Sequence, residues 1–292
     1  MTKNVVTSRH RAESLAATLP PLLVAARRVA ATVAQGVHGR RRVGQGESFW
    51  QFRQYEVGDP PQLIDWRQSA KSDRVFVREM EWEAAQSTWI WRDASASMNW
   101  RSRQGAVSKL ERANLLALAL AVLLVRGGEH VALMGAQVRP ISGQGALNQI
   151  AALLEEPLEG ESLPAIQTIA RHSQLVVIGD FLSPLEETAE RLRYFAARRV
   201  RGHILQILDP AEESLPYEGR VLFEGMERED DFMLSRVEAV RSDYVARMAA
   251  HIESLKSLAR NLGWTYSHHR TDGSAQAALL ALFMALSETT KQ

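Results

Sequence analysis

The 292-residue sequence contains no cysteine. Disulfides, thiolate metal sites and a cysteine nucleophile are therefore excluded, which fits a reducing compartment. The common catalytic signatures are missing too. Gly143-Gln-Gly145 has no Lys-Ser/Thr pair behind it, so there is no P-loop. Neither a GxSxG elbow nor an HExxH helix occurs. The longest apolar runs, Leu115 to Val125 and Ala277 to Leu286, are too short to span a bilayer. Near the N-terminus, Pro20-Pro21 in a short apolar patch followed by Arg27-Arg28 does not make a signal-peptide core with a cleavage site. Formal net charge is only +1, so no global field draws the chain to nucleic acid or membrane. His38-Gly-Arg-Arg-Arg42 is basic but short, with no aromatic interleaved before Phe49, and nucleic acid is not read as a partner. The expectation is a cytoplasmic protein without a membrane span.

What is present is a globular composition, 46% apolar, long enough for one large or two small domains. From residue 87 onward, strands and helices alternate. Ser87 to Trp91 reads as a strand, Lys109 to Val125 as a helix stopped by Gly127-Gly128, and His130 to Met134 as a strand. Ala146 to Glu156 reads as a helix ended by Pro157, and Gln174 to Ile178 as a buried strand. Leu185 to Arg198 is helical by period, and Arg201 to Leu208 is another strand. Ser235 to Leu262 has helical period over a long span; Trp264 to His268 reads as a strand and Ala275 to Ser287 as a closing helix. Continuous apolar strands between helices predict an α/β fold, with a mostly parallel sheet covered on both faces. We expect residues 85–292 to form this domain. Residues 1–84 are expected to form an N-terminal helical or irregular extension, basic at first and then rich in Trp and Arg.

The stretch Asp93-Ala94-Ser95-Ala96-Ser97 follows the first of these strands. One carboxylate and two hydroxyls at alternate positions offer three hard oxygens, a set suited to Mg²⁺ or Mn²⁺. At the carboxyl end of a parallel strand they would stand where open α/β sheets bind ligands. The alternative is that Ser95 or Ser97 caps a helix. Asp180 lies just past a second buried strand and could serve the same ion, or cap the helix beginning near Pro184. Gly160-Glu161-Ser162 adds a loop hydroxyl between them. Asp209, before Pro210, reads as a turn residue. Adjacent His268 and His269 on a strand face opposite ways and do not suit one metal.

DxSxS, a loop hydroxyl after Gly and an Asp after an apolar strand resemble the metal-ion-dependent adhesion site of von Willebrand factor A-type domains. The resemblance implies metal ligation by Asp93, Ser95, Ser97 and Asp180, directly or through water. It places Ser162 where that family usually has Thr, with Glu161 as a rival. A second resemblance is carried by Tyr55-Glu-Val-Gly-Asp59, then Ile64-Asp65-Trp66-Arg67-Gln-Ser-Ala70, then Val77-Arg78-Glu79-Met-Glu81 just before DxSxS. This order is similar to the signature of the domain of unknown function 58 family. Its members are von Willebrand A-like proteins, often encoded beside MoxR-type AAA+ ATPases. The resemblance thus implies a fold and a partner class: a MoxR-type AAA+ ATPase or its client.

Six of the seven Trp lie between Trp50 and Trp100. Arg53, Arg67, Arg74 and Arg78 intersperse with Glu56, Asp59, Asp65 and Asp73. Such a segment orders itself by stacking and pairing, or turns Arg67 or Arg78 toward an acidic ligand. Charge is also uneven. Residues 1–47 carry eight Lys or Arg against two acids, a local +6, while residues 212–231 carry eight acids against two Arg, a local −6. Surface solvation or mutual docking would each account for these patches.

The expected function is that of a non-catalytic interaction module, in which a bridging divalent cation captures an acidic residue of a partner. The alternatives are a metal-dependent hydrolase, for which no general base is evident in sequence, and a scaffold with a vestigial ion site.

Overall fold

A computed structural model of the chain describes residues 21–36, 49–55, 64–71, 74–80, 87–136, 139–156, 160–226 and 230–289. Before the main domain come helix α1 (Pro21–Gly36), strand β1 (Phe49–Gln54), the one-turn helix α2 (Trp66–Ser69) and strand β2 (Phe76–Met80). Then follow β3 (Ser87–Arg92), a 3-10 turn (Ala96–Asn99), α3 (Lys109–Arg126), β4 (His130–Leu133), α4 (Gly143–Glu155) and β5 (Gln174–Gly179). After these come α5 (Leu185–Ala196), β6 (Arg201–Leu208), α6 (Pro210–Ser214), β7 (Val221–Phe223) and β8 (Phe232–Leu234). A second 3-10 turn (Val237–Ala239), α7 (Arg241–Asn261), β9 (Thr265–Arg270) and α8 (Ala275–Thr289) complete the chain.

Five strands make one sheet in the order β4-β3-β5-β6-β9, every pair parallel. The expected α/β architecture is therefore present. Its central strands are apolar without alternation because both faces are covered. Ile90, Val176, Ile178, Leu205 and Ile207 face one core with α1, α3, α4 and α8. Trp89, Trp91, Leu175, Val177 and Ile204 face the other, against Leu192 and Phe195 of α5 and Leu255 and Leu258 of α7.

Helix α3 starts at a capping box, with Ser108 and Glu111 satisfying each other's backbone N–H groups, and ends at Gly127. Its apolar residues run all round the helix because α1 forms an outer layer over it. Leu23, Ala26, Ala30 and Val33 of α1 are buried at helical spacing in the same core. Helix α1, the first element of the expected N-terminal extension, thus packs into the α/β body.

Strands β1 and β2 form a separate antiparallel ribbon. Between them Asp65 caps α2 by accepting from Gln68 N at 2.9 Å, while Trp66 is 68% exposed. Arg67 is exposed as well. The side chain of Arg78, residues 56–61, Asp73 and Glu81 lie outside the described residues, as do Lys3, Arg9, Arg11, His38–Arg42 and the acids Glu227 and Glu229.

The long periodic span expected over Ser235–Leu262 is two elements. Arg236 is extended (φ −146°, ψ 99°), a 3-10 turn follows, and the α-helix begins only at Arg241. The acidic stretch before it folds back as the β7–β8 hairpin, with Phe232 and Leu222 exposed. Two of its acids are not surface charge: Glu212 pairs with Lys109, and Glu213 with His268 at 2.7 Å. Asp209 caps α6 through Ala211 N and also accepts from Ser102 N at 3.0 Å, fixing the loop before α3. His269 turns away from His268 to meet Arg112, as strand geometry requires.

Candidate functional site

The connections leave the sheet in opposite directions at one place. From β3 the chain leaves through α3, on one face, to β4; from β5 it leaves through α5, on the opposite face, to β6. The gap between the carboxyl ends of β3 and β5 is thus the topological switch point, the usual ligand crevice of an open parallel sheet. Arg92 pairs with Ile178 in register, and Asp93 N donates to Ile178 O at 2.8 Å. Asp93 and Asp180 leave the two strands side by side, and both are buried.

Two glycines let the loops close here. A Cβ on Gly179 would stand 3.0 Å from Asp93 Cβ and 3.1 Å from its Oδ2. One on Gly160 would be 2.6 Å from Ala94 Cβ, and Gly160 N donates to Ala94 O. Phe181, just after Asp180, is fully buried with φ +53°, a left-handed conformation that is costly for an aromatic residue. His251 Nε2 of α7 donates to the Phe181 carbonyl at 2.7 Å and helps hold that turn.

Four of the expected ligands form one chain of oxygens. Asp93 Oδ1 accepts from Ser95 N at 2.9 Å and from Ser95 Oγ at 2.6 Å. Ser95 Oγ lies 3.2 Å from Ser97 Oγ, which donates to Asp180 Oδ2 at 2.8 Å. Each hydroxyl has one proton, and a carboxylate only accepts. Both serine protons are therefore committed to carboxylates, and the two Oγ atoms face each other through their lone pairs. A set of two carboxylates and two hydroxyls fits a hard divalent cation.

Neither capping alternative is realised. Ser95 precedes the 3-10 turn without a side-chain capping bond, and the residue before α5 is Pro184, not Asp180. Ser162 Oγ accepts from Ser183 Oγ at 3.0 Å, three residues beyond Asp180. Glu161 is exposed. His130 and His172 lie at the amino ends of β4 and β5. That edge is opposite Asp93 and Asp180, roughly 15–20 Å away at the rise of a strand.

The sequence reading missed Lys109. Its side chain is 1% exposed, with Nζ 2.8 Å from Asp180 Oδ2 and also bonded to Glu212. Burial alone would lower the Lys109 pKa. The charges of Asp180 and Glu212, with hydrogen bonds to both, outweigh it and hold the ammonium above the ordinary lysine value. Gln206 was missed too; its Nε2 donates to the Asp180 carbonyl at 2.9 Å.

Two signals for Lys109 were available. It falls on the same helical stripe as the buried Arg112, Ala113 and Leu116, and a cation in the first turn of a helix opposes the dipole. Arg92, buried next to Asp93, is a second internal cation; burial lowers its pKa and Asp93 works against that. Three carboxylates (Asp93, Asp180, Glu212) thus stand against two cations, a formal excess of one negative charge.

Residues 51–254 match the family described as Protein of unknown function DUF58. The chain is similar to uncharacterized protein Mb1516 of Mycobacterium bovis and uncharacterized protein Rv1480 of Mycobacterium tuberculosis. Each is 27% identical over 274 residues, covering 88% of this chain and 85% of the relative. Among solved structures it is similar to the conserved hypothetical protein BatB from Bacteroides thetaiotaomicron (TM-score 0.36, 16% identity, 71% of this chain and 100% of that one). It is also similar to an aerotolerance-related membrane protein from Bacteroides fragilis (TM-score 0.35, 16% identity, 70% of this chain and 100% of that one). No helix among the described residues is long and apolar enough to cross a membrane.

Proposed function

Since the chain belongs to the DUF58 family, we propose that it is a non-catalytic interaction module of the cytoplasm, using an adhesion-type metal site to bind an acidic residue of a partner. The observation that carries the proposal is the convergence of Asp93, Ser95, Ser97 and Asp180 at the switch point of the parallel sheet. Mg²⁺ or Mn²⁺ is the cation whose chemistry matches these oxygens. Bound there, it would supply a Lewis-acidic position open to an external carboxylate. Asp93 and Asp180 would hold it, Ser95 and Ser97 would add their hydroxyl oxygens, and Ser162 would stand in reserve beside Ser183. Exposed Leu182, two residues past Asp180, gives a partner an apolar contact next to the ionic one.

The partner class comes from the family resemblance alone: a MoxR-type AAA+ ATPase or its client, with complex assembly or remodelling as the outcome. The test is retention of a MoxR-type ATPase on tagged protein, wild type against Asp93→Ala, each with Mg²⁺ and with chelator. Retention by wild type with metal alone is the expected result. Equal retention in all four conditions would sink the reading.

One observation favours a second reading. The Lys109 ammonium already sits on Asp180, so the site could be neutralised from within, the protein acting as a scaffold through the β1–β2 segment.

A further inference from the structure

We propose that Lys109 is a tethered cation that competes with the divalent ion for Asp180, so that loading the site hands its ammonium over to Glu212. The proposal rests on the metal reading above and deepens it into a regulated site.

Asp180 Oδ2 is the contested atom. It accepts from Ser97 Oγ at 2.8 Å and from Lys109 Nζ at 2.8 Å. The remaining polar atoms of Asp180 are otherwise engaged, Oδ1 by Leu182 N at 3.3 Å and the carbonyl by Gln206. A metal bound through the Ser97–Asp180 end of the oxygen chain would stand within about 4–6 Å of the ammonium, the range in which like charges disfavour each other strongly. One of the two cations must give way at that oxygen.

The ammonium has a prepared second seat. Glu212 opens α6, where its Oε2 accepts from Asp209 N at 2.8 Å while its other oxygen meets Lys109. Its own carbonyl accepts from Tyr244 OH of α7 at 2.7 Å. Glu212 is thus anchored by groups other than Lys109 and can keep the ammonium without moving. Lys109 begins α3 next to Ser108, whose capping box fixes the helix start. The exchange therefore needs only side-chain rotation of Lys109, not movement of the helix.

Competition of this kind is reciprocal and typically changes affinity by about 5–150-fold. The experiment is a Mn²⁺ titration of the full chain by calorimetry or electron paramagnetic resonance. It compares wild type, Lys109→Met, Glu212→Gln, the Lys109→Met/Glu212→Gln double variant and Asp93→Ala.

Removing the ammonium should tighten Mn²⁺ by about tenfold or more. Removing its second seat should weaken Mn²⁺, since the ammonium then has Asp180 alone. The double variant separates a relay from a simple field effect. With no ammonium to receive, Glu212 has nothing to relay, and the double variant should bind as tightly as Lys109→Met. Effects that instead sum back to wild-type affinity would mean two independent charges and overturn the relay.

Should Lys109→Met alone fail to fold, the double variant, which leaves no unpaired Glu212 charge, decides against wild type by the same criterion. Wild-type binding that is lost in Asp93→Ala but unimproved in the double variant refutes the competition and leaves the metal site standing. No Mn²⁺ binding by wild type, Lys109→Met or the double variant at millimolar metal refutes both.

Discussion

Acidification should unfold this protein in part through a histidine far from the candidate site. His203 sits near the amino end of β6 with no exposure, its Nδ1 2.7 Å from Thr265 Oγ1 and its Nε2 2.7 Å from Ser267 Oγ. In the neutral ring one nitrogen donates and the other accepts, and the two hydroxyls of β9 satisfy both. Burial disfavours the charged ring and lowers its pKa from 6.5 to about 3. Because the folded value lies below the unfolded one, the unfolded chain binds the proton first. Stability is therefore fully present above about pH 6.5 and is lost progressively as pH falls toward 3. Between about pH 7.5 and about pH 5 the loss from this one residue is about 2 kcal/mol, one and a half pH units below the unfolded pKa at about 1.4 kcal/mol each. Urea denaturation of wild type and His203→Gln at the two pH values measures it. The variant is less stable at both, but its pH-dependent difference should be smaller by about 2 kcal/mol. His269, whose pKa burial lowers to about 4, remains in both proteins and contributes equally. An identical pH dependence in the two proteins would refute the reasoning.

Two further outcomes test the packing that positions the site. Gly202→Ala would place a Cβ 1.9 Å from Trp264 Cδ2, and the Trp is pinned by its Nε1 bond to Val200 O; thermal denaturation should show a loss of about 1–3 kcal/mol or more, part of it recovered by Trp264→Leu. His251→Ala removes the bond that holds the left-handed Phe181 turn. It should cost about 1 kcal/mol of stability by urea denaturation and weaken Mn²⁺ several-fold, while His251→Gln, which can still donate, recovers part of both.

The parallel sheet was legible because its strands are apolar on both faces and its helices carry clear stops. Ser108 and Gly127 bracket α3 within a residue or two of the bounds read from the sequence. Asp93, Ser95, Ser97 and Asp180 were legible for a related reason: polar residues directly after buried strands must find partners, and here they find one another. Other features depend on contacts between segments distant in sequence. That α1 covers α3 cannot be read from α1 alone, although the all-round apolarity of α3 was a sign that something must. The helical period of residues 235–262 hid a break: Arg236 is extended, the buried Val237 after it bonds its N–H to Gly219 O, and no Pro or Gly marks the place. Lys109 lies on the buried stripe of α3, but the acids that it pairs with are remote. Its 71-residue separation from Asp180 and 103 from Glu212 leave no local pattern.

The balance of charge bears on what the site could accept. With Lys109 and Arg92 counted, the five ionised side chains around the oxygen chain carry one surplus negative charge. That is too little to need a divalent ion for neutrality, and a divalent ion added there would overshoot to one positive. In a buried setting such a charge is stable only with a partner. An incoming carboxylate returns the cluster to neutrality, whereas a neutral ligand leaves the surplus and a cationic one doubles it. On the proposed reading, then, metal and acidic partner should bind cooperatively, each supplying the charge that the other lacks. Lys109 stays in this balance throughout: on Asp180 and Glu212 when both are absent, and on Glu212 alone when both are bound.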